Sequence, residues 1–150
     1  MRKILTLLLC LGLCGCATVP AFNTPTGKPE VVIANVSKKE VIDALTNMML
    51  ASGFTVKNIT DYNAVFTKEA NSFGAMLLFG SRFNTVPEGR VNYAIVDTTE
   101  GIRVVITLEM VTNPGSAFEN RQDLNQSVDA KKLYDRLLQI KQELENKNKK

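Results

Sequence analysis

The stretch VNYAIVDTTEGIRVVITLEM, residues 91–110, decides the fold of this chain. Apolar residues occupy alternate positions on both sides of a short polar stretch, residues 98–101. A period of two places one set of side chains on each face of a β-strand, and a polar stretch with glycine between two such runs is typical of a hairpin. Arg103, Thr107 and Glu109 fall between the apolar positions of the second run. We therefore predict an antiparallel hairpin with one buried face and one face toward solvent.

A helix is predicted upstream from its start signal, its periodicity and its stop signal. It follows an apolar run, residues 31–36, that is typical of a short strand. Ser37 and Glu40 have the spacing of a capping box, in which each side chain bonds the backbone of the other residue. The apolar residues that follow fall on one helical face: Val41, Leu45, Met48 and Met49. Gly53 suits the left-handed position just after a helix, so the helix is expected to end there.

The remaining segments complete an α+β domain. Residues 54–59 and 64–68 flank a polar stretch and predict another hairpin, whereas the polar residues 117–127 predict a loop. From residue 128 onward apolar residues recur at helical spacing, which favours packing on the core over the alternative of a partner-binding face. The order β-α-β-β-insert-β-β-α predicts an antiparallel sheet of about four to five strands with two helices on one face. This domain is expected to span residues 30–145, followed by a basic tail, residues 146–150.

The first thirty residues have the composition of a leader followed by a tether. Arg2 and Lys3 precede an apolar run, residues 4–13, whose helix would rise about 15 Å, half of a hydrocarbon core of roughly 30 Å. This pattern is typical of a secretory signal peptide, here residues 1–15. Residues 16–29 are rich in proline and predict a flexible tether that would reach about 40 Å in full polyproline extension.

Leu13-Cys14-Gly15-Cys16 resembles the lipobox of bacterial lipoproteins: an aliphatic residue, two mostly small residues and an invariant cysteine. The resemblance implies cleavage before Cys16, a diacylglycerol on its sulfur, and a fatty acyl group such as palmitate on its new amine. Two or three acyl chains hold a protein stably at a membrane, whereas one is marginal. Because Ala17 and Thr18 follow in place of aspartate, the resemblance implies the periplasmic face of the outer membrane, with inner-membrane retention as the alternative. An ordinary signal peptide that leaves Cys16 as a free thiol is the other interpretation.

The amino-acid composition removes the commonest catalytic chemistries. The chain has 3 cysteines and no histidine, and cleavage would leave Cys16 as the single thiol. Histidine-activated nucleophiles and Cys/His zinc sites are therefore excluded. The acidic residues are scattered, without the spacing of a glycosidase pair or a calcium loop. Loss of Arg2 and Lys3 lowers the basic count from 18 to 16 against 15 acidic residues, which gives no basic excess for nucleic-acid binding. We expect no catalytic residue, metal site or cofactor beyond the lipid on Cys16.

One apolar segment, residues 73–83, fits no periodic element. We name as candidate contact residues Phe73, Met76, Leu77, Phe79, Arg82 and Phe83. One interpretation is a buried strand or short helix that covers the sheet, with glycine allowing a close backbone approach. The other is an apolar contact surface for a lipid, an acyl ligand or a partner protein. Arg82 would then pair with an acidic partner or a phosphate, or, alternatively, cap the fold against Glu88 or Asp97.

The segments FGAMLLFGSRFNTVPEGRVNY, residues 73–93, and TNPGSAFE, residues 112–119, are similar to a group of small proteobacterial lipoproteins with no assigned activity. The resemblance implies a shared structural turn that contains Asn113, Pro114, Gly115 and Phe118. Together these features predict a non-catalytic, membrane-anchored lipoprotein that binds an envelope protein or a lipidic ligand. One alternative is a prophage- or plasmid-type envelope lipoprotein that blocks a receptor or DNA injection. The other is an enzyme that uses carboxylates.

Overall fold

A computed structural model describes residues 22–70 and 86–149. The helices and strands are β1 Glu30–Ile33, α1 Lys38–Ala51, β2 Thr55–Ile59, β3 Asn63–Glu69, β4 Glu88–Thr98, β5 Gly101–Thr112, β6 Asn120–Asp123 and α2 Val128–Lys147. The signal peptide, the lipobox with Cys16 and the contact candidates Phe73, Met76, Leu77, Phe79, Arg82 and Phe83 lie outside the described residues.

The strands form one antiparallel sheet whose centre is the predicted hairpin, β4–β5. The strand order is β1-β5-β4-β3-β2, and β6 also pairs with β5. The register of the central hairpin runs from Glu88 opposite Val111 to Thr98 opposite Gly101. β1 pairs with residues 102–105 and β6 with residues 109–112, so both lie along the same edge of β5. The predicted α+β fold is confirmed.

Both helices pack on one face of this sheet. Along β5, Ile106 is fully buried, whereas its neighbour Thr107 is only half-buried on the opposite face. This alternation confirms the predicted two-faced strand. One cluster joins the inner face of the sheet to both helices: Val31, Ile33, Val41, Leu45, Met49, Ala64, Phe66, Val91, Tyr93, Ile95, Ile102, Val104, Ile106, Leu108, Ala130, Leu137 and Ile140.

The predicted signals at both ends of α1 are confirmed. The Ser37 backbone N–H donates to Glu40 Oε2 at 2.9 Å, and the Glu40 N–H donates to Ser37 Oγ at 3.3 Å, which completes the capping box. At the other end Gly53 has a φ of 79°, and the Phe54 N–H reaches back to the Met49 carbonyl at 3.0 Å. These are the features of a Schellman motif, which turns the chain so that Phe54 packs against the core.

The structure corrects the prediction of a loop at residues 117–127, because part of that segment is β6. All four side chains of β6 are exposed, so the strand has no apolar face to reveal it in the sequence. It forms because its backbone pairs with the free edge of β5. Directly after it, the Leu124 N–H donates to the Leu108 carbonyl at 2.9 Å.

Residues on both sides of the predicted domain also contact it. Phe22 packs edge-on against Tyr134 of α2, with ring centroids 5.4 Å apart. The Pro29 carbonyl accepts a bond from the Ile106 N–H at 2.8 Å. The described part of the predicted tether, residues 22–29, therefore lies against the domain. At the other end α2 continues to Lys147, and Asn148 donates from Nδ2 to the Asn35 carbonyl at 2.8 Å.

Candidate functional site

An open groove of about 330 Å³ lies between the inner face of the sheet and the first turns of α2. We call it the apolar groove. Its walls are Phe54, Ala70, Gly89, Leu108, Met110, Leu124 and Leu133. Its rim consists of Ser52, Lys68, Glu69, Asp129, Lys132 and Arg136. It lies at the end of the sheet where β3 ends and β4 begins.

Local hydrogen bonds hold the two sides of the apolar groove in place. The Schellman turn after α1 places Phe54 on one side. On the other side Asn125, which is 3% exposed, accepts a hydrogen bond from the Leu108 N–H through Oδ1 at 2.8 Å. Ser127 then caps α2 by accepting from the Ala130 N–H at 3.2 Å. These bonds hold the start of α2 beside β5. Leu133, in the second turn of α2, therefore lines the groove opposite the sheet.

Gly89 leaves the floor of the groove open. It precedes Val91 and Tyr93 in the set of β4 residues that face inward, and both of those side chains are fully buried. A Cβ added at Gly89 would lie 3.7 Å from the Lys68 carbonyl oxygen, an ordinary van der Waals contact. The sequence contained this signal, because glycine inside an alternating strand often marks a close approach by a ligand or another backbone. We did not predict the groove from it.

Two cations converge at one end of the rim. Lys68 Nζ donates to the Ser52 carbonyl oxygen at 2.9 Å, and Arg136 Nη1 donates to Ser52 Oγ at 3.5 Å. Among the described residues neither cation forms an ion pair with a carboxylate. Lys132, by contrast, pairs with Asp129 at 2.9 Å. The rim therefore carries positive charge beside apolar walls.

The opposite face of the sheet carries a network of ion pairs centred on Arg90. Its guanidinium contacts Glu88 Oε1 at 2.6 Å and Glu119 Oε1 at 3.2 Å. Arg121 contacts the same Glu119 oxygen at 2.8 Å. Lys57 contacts Glu88 at 3.1 Å, so the network joins β2, β4 and β6. Because every charge in it has an opposite partner, we assign it to holding the sheet together.

The turn after β5 brings Glu119 into this network. Asn113 and Gly115 have φ values of 53° and 76°, and the Gly115 N–H donates to Glu119 Oε2 at 2.9 Å. That hydrogen bond, followed by those from Arg90 and Arg121, lowers the pKa of Glu119 to about 2. Gly115 thus makes a structural contact with Glu119. The shared turn of Asn113, Pro114, Gly115 and Phe118 that the resemblance implied stays a prediction.

The candidate contacts at residues 73–83 lie outside the described residues, so both interpretations of that segment stay predictions. Of the carboxylates considered as internal partners for Arg82, Glu88 already pairs with Arg90, and Asp97 contacts Lys38 at 2.6 Å. Ala70, which immediately precedes residues 71–85, lines the groove. Its N–H donates to the Pro87 carbonyl at 2.8 Å.

Within the described ranges no group of three or more acidic, histidine or cysteine side chains is arranged to hold a metal ion. Neither described helix is long and apolar enough to cross a membrane. The absence of catalysis stays a prediction from composition. The apolar groove is the described feature best suited to a ligand. No protein-family model matches this chain, and no curated protein matches it.

Proposed function

We propose that this protein is a non-catalytic lipoprotein, anchored through Cys16 at the periplasmic face of the outer membrane, that binds the apolar part of a lipidic ligand in the apolar groove. The apolar groove is the observation that supports lipid binding. Its volume of about 330 Å³ falls within the range of ligand pockets. A cavity of about 150 Å³ accommodates benzene, so the groove has room for a chain of roughly ten to twelve carbon atoms.

The chemistry of the walls supports a lipid over a polar ligand. Leu108 is almost fully buried, and Phe54, Leu124 and Leu133 are partly buried and pack against the core. A bound hydrocarbon chain would remove their remaining apolar surface from water, at about 25 cal/mol per Å² of area. The described part of the walls offers no set of buried polar groups that would fix the orientation of a sugar or a nucleotide.

The contact between Phe22 and Tyr134 supports a location close to the membrane. If Cys16 carries the lipid, the six peptide units from Cys16 to Phe22 span about 20 Å at most. The fourteen-residue tether expected from the sequence would have reached about 40 Å. The docked chain therefore keeps the domain nearer to the lipid surface from which a ligand would come.

The binding proposal is tested by closing the groove from its floor with Gly89→Ile. The Cβ of the new side chain would meet the Lys68 carbonyl oxygen at 3.7 Å, an ordinary contact, and a β-branched residue suits a strand. We expect photolabelling of the lipidated protein in envelope membranes by a diazirine derivative of decan-1-ol to need at least about tenfold more probe, since the variant removes most of the buried contact area.

The matched control is Val96→Ile, which adds a methylene on the exposed outer face of the same strand. Labelling of this variant should equal that of the wild type, and both variants should keep the wild-type melting temperature. Unchanged labelling of Gly89→Ile would show that the apolar probe binds elsewhere and would overturn the proposal.

A further inference from the structure

We propose that the apolar groove selects a single-chain amphiphile with an anionic head group, such as a fatty acid, whose head is bound by Lys68 and Arg136. This inference rests on the proposed function of the groove and adds the chemical class of the ligand. The tail would lie along Phe54, Leu124 and Leu133, and the head would lie at the rim beside Ser52.

The positions of the two cations support this head-group site. Lys68 and Arg136 both hydrogen-bond to Ser52, so their charges converge although they come from β3 and α2. Lys68 Nζ lies 5.6 Å from the centre of the Phe54 ring, which places the charge directly beside an apolar wall. A ligand that fills the groove would therefore meet both cations where its chain leaves the apolar surface.

Among the described residues, neither acidic residue of the rim forms an ion pair with Lys68 or Arg136. Asp129 pairs with Lys132, and that pair is exposed. Glu69 also lines the groove, so the rim carries three cations, Lys68, Lys132 and Arg136, against two carboxylates. The excess positive charge at this end of the groove complements an anionic head.

The chemistry of the two side chains suits a carboxylate or a phosphate. A guanidinium forms paired hydrogen bonds with both oxygens of a carboxylate, and an ammonium adds a movable point charge. The two cations also have a structural role, because α1 has no basic residue in its last turn and its C-terminal end carries partial negative charge. That partial charge, about half an elementary charge, offsets only part of the two positive charges.

The test compares diazirine derivatives of decanoic acid and decan-1-ol, which share a chain and differ in head-group charge. The protein is the lipidated product that begins at Cys16, in envelope membranes at pH 7. We measure labelling of the peptides that contain residues of the groove. Half-maximal labelling by the decanoate probe should need a concentration at least about tenfold lower than labelling by the alcohol probe. The reason is that hydrogen bonds between charged groups are stronger than those of a neutral hydroxyl. Lys68→Gln and Arg136→Gln should each reduce this preference to about threefold or less.

Lys131→Gln is the matched control, because it removes a cation of α2 that is paired with Asp135 and does not line the groove. It should leave the preference for decanoate unchanged. Equal labelling by both probes would overturn the anionic-head proposal and leave lipid binding by the groove intact. A lower melting temperature of Lys68→Gln with unchanged preference would likewise overturn it, and would assign Lys68 to capping α1. Failure of both probes to label groove peptides would overturn the proposed function as well.

Discussion

Gly101 begins β5 with a φ of 139°, a conformation that side-chain-bearing residues rarely adopt. A Cβ at this position would lie 2.3 Å from the Ile33 carbonyl oxygen, much closer than any normal contact. The obstacle is backbone of β1, so it cannot move aside as a flexible side chain would. The hairpin turn predicted from the sequence therefore depends on glycine for two reasons, its backbone angle and the close packing of β1.

We expect Gly101→Ala to lower the free energy of unfolding by at least about 2 kcal/mol, because it combines backbone strain with overpacking. Urea unfolding followed by circular dichroism measures this loss. Gly27→Ala is the matched control, since Gly27 also has a positive φ of 66° but no atom within 4 Å of the added Cβ. That variant should lose only about 1 kcal/mol. Equal losses would show that the contact with β1 does not matter.

At the scale of elements, the sequence predicted those strands and helices whose side chains follow a local period. β4, β5 and α1 are examples, because their inward residues recur at intervals that a single sequence reveals. β2 is exposed along its whole length, yet its β-branched residues and the polar stretch that follows still indicated a hairpin. β6 has neither signal. Its backbone pairing with β5 is a non-local interaction, so it appears only in the folded chain.

The turn between β5 and β6 makes the stability of the fold depend on pH through Glu119. The ionised Glu119 carboxylate is held by Gly115, Arg90 and Arg121, so its pKa is lowered from 4.5 to about 2 on folding. A lowered pKa stabilises the fold above the unfolded value and loses that contribution as pH falls toward the folded value. We therefore expect Glu119→Gln to be less stable than wild type at pH 7, with the difference disappearing between about pH 4.5 and pH 2.

Thermal unfolding at a series of pH values measures this convergence. Glu100→Gln is a suitable control, because Glu100 lies exposed in the turn between β4 and β5 and forms no ion pair with the described residues. Its stability curve should run parallel to that of the wild type. A pH-independent difference between Glu119→Gln and wild type would contradict the assignment of the acid-sensitive ion pairs to this turn.

At the scale of the whole molecule, the proposed lipid anchor would determine where the groove binds its ligand. We expect Cys16→Ala to abolish palmitate incorporation and to move the protein out of the membrane fraction, because no sulfur would then remain at the lipidation position. Metabolic labelling and membrane fractionation measure both effects. Cys14→Ala should retain label and location, since the lipobox resemblance assigns Cys14 to the removed leader. Continued palmitate labelling of Cys16→Ala would contradict the proposed anchor.

The sequence by itself determined the α+β class, the order of the main elements and the residues that face the core, because short-range periodicity encodes all three. It also determined that histidine chemistry is excluded. Only the tertiary structure decided the groove. Phe54 and Leu133 line the same groove because α2 packs beside the end of α1, and Lys68 and Arg136 converge on Ser52 for the same reason. Such a site depends on contacts between distant segments, and no local pattern in one sequence specifies them.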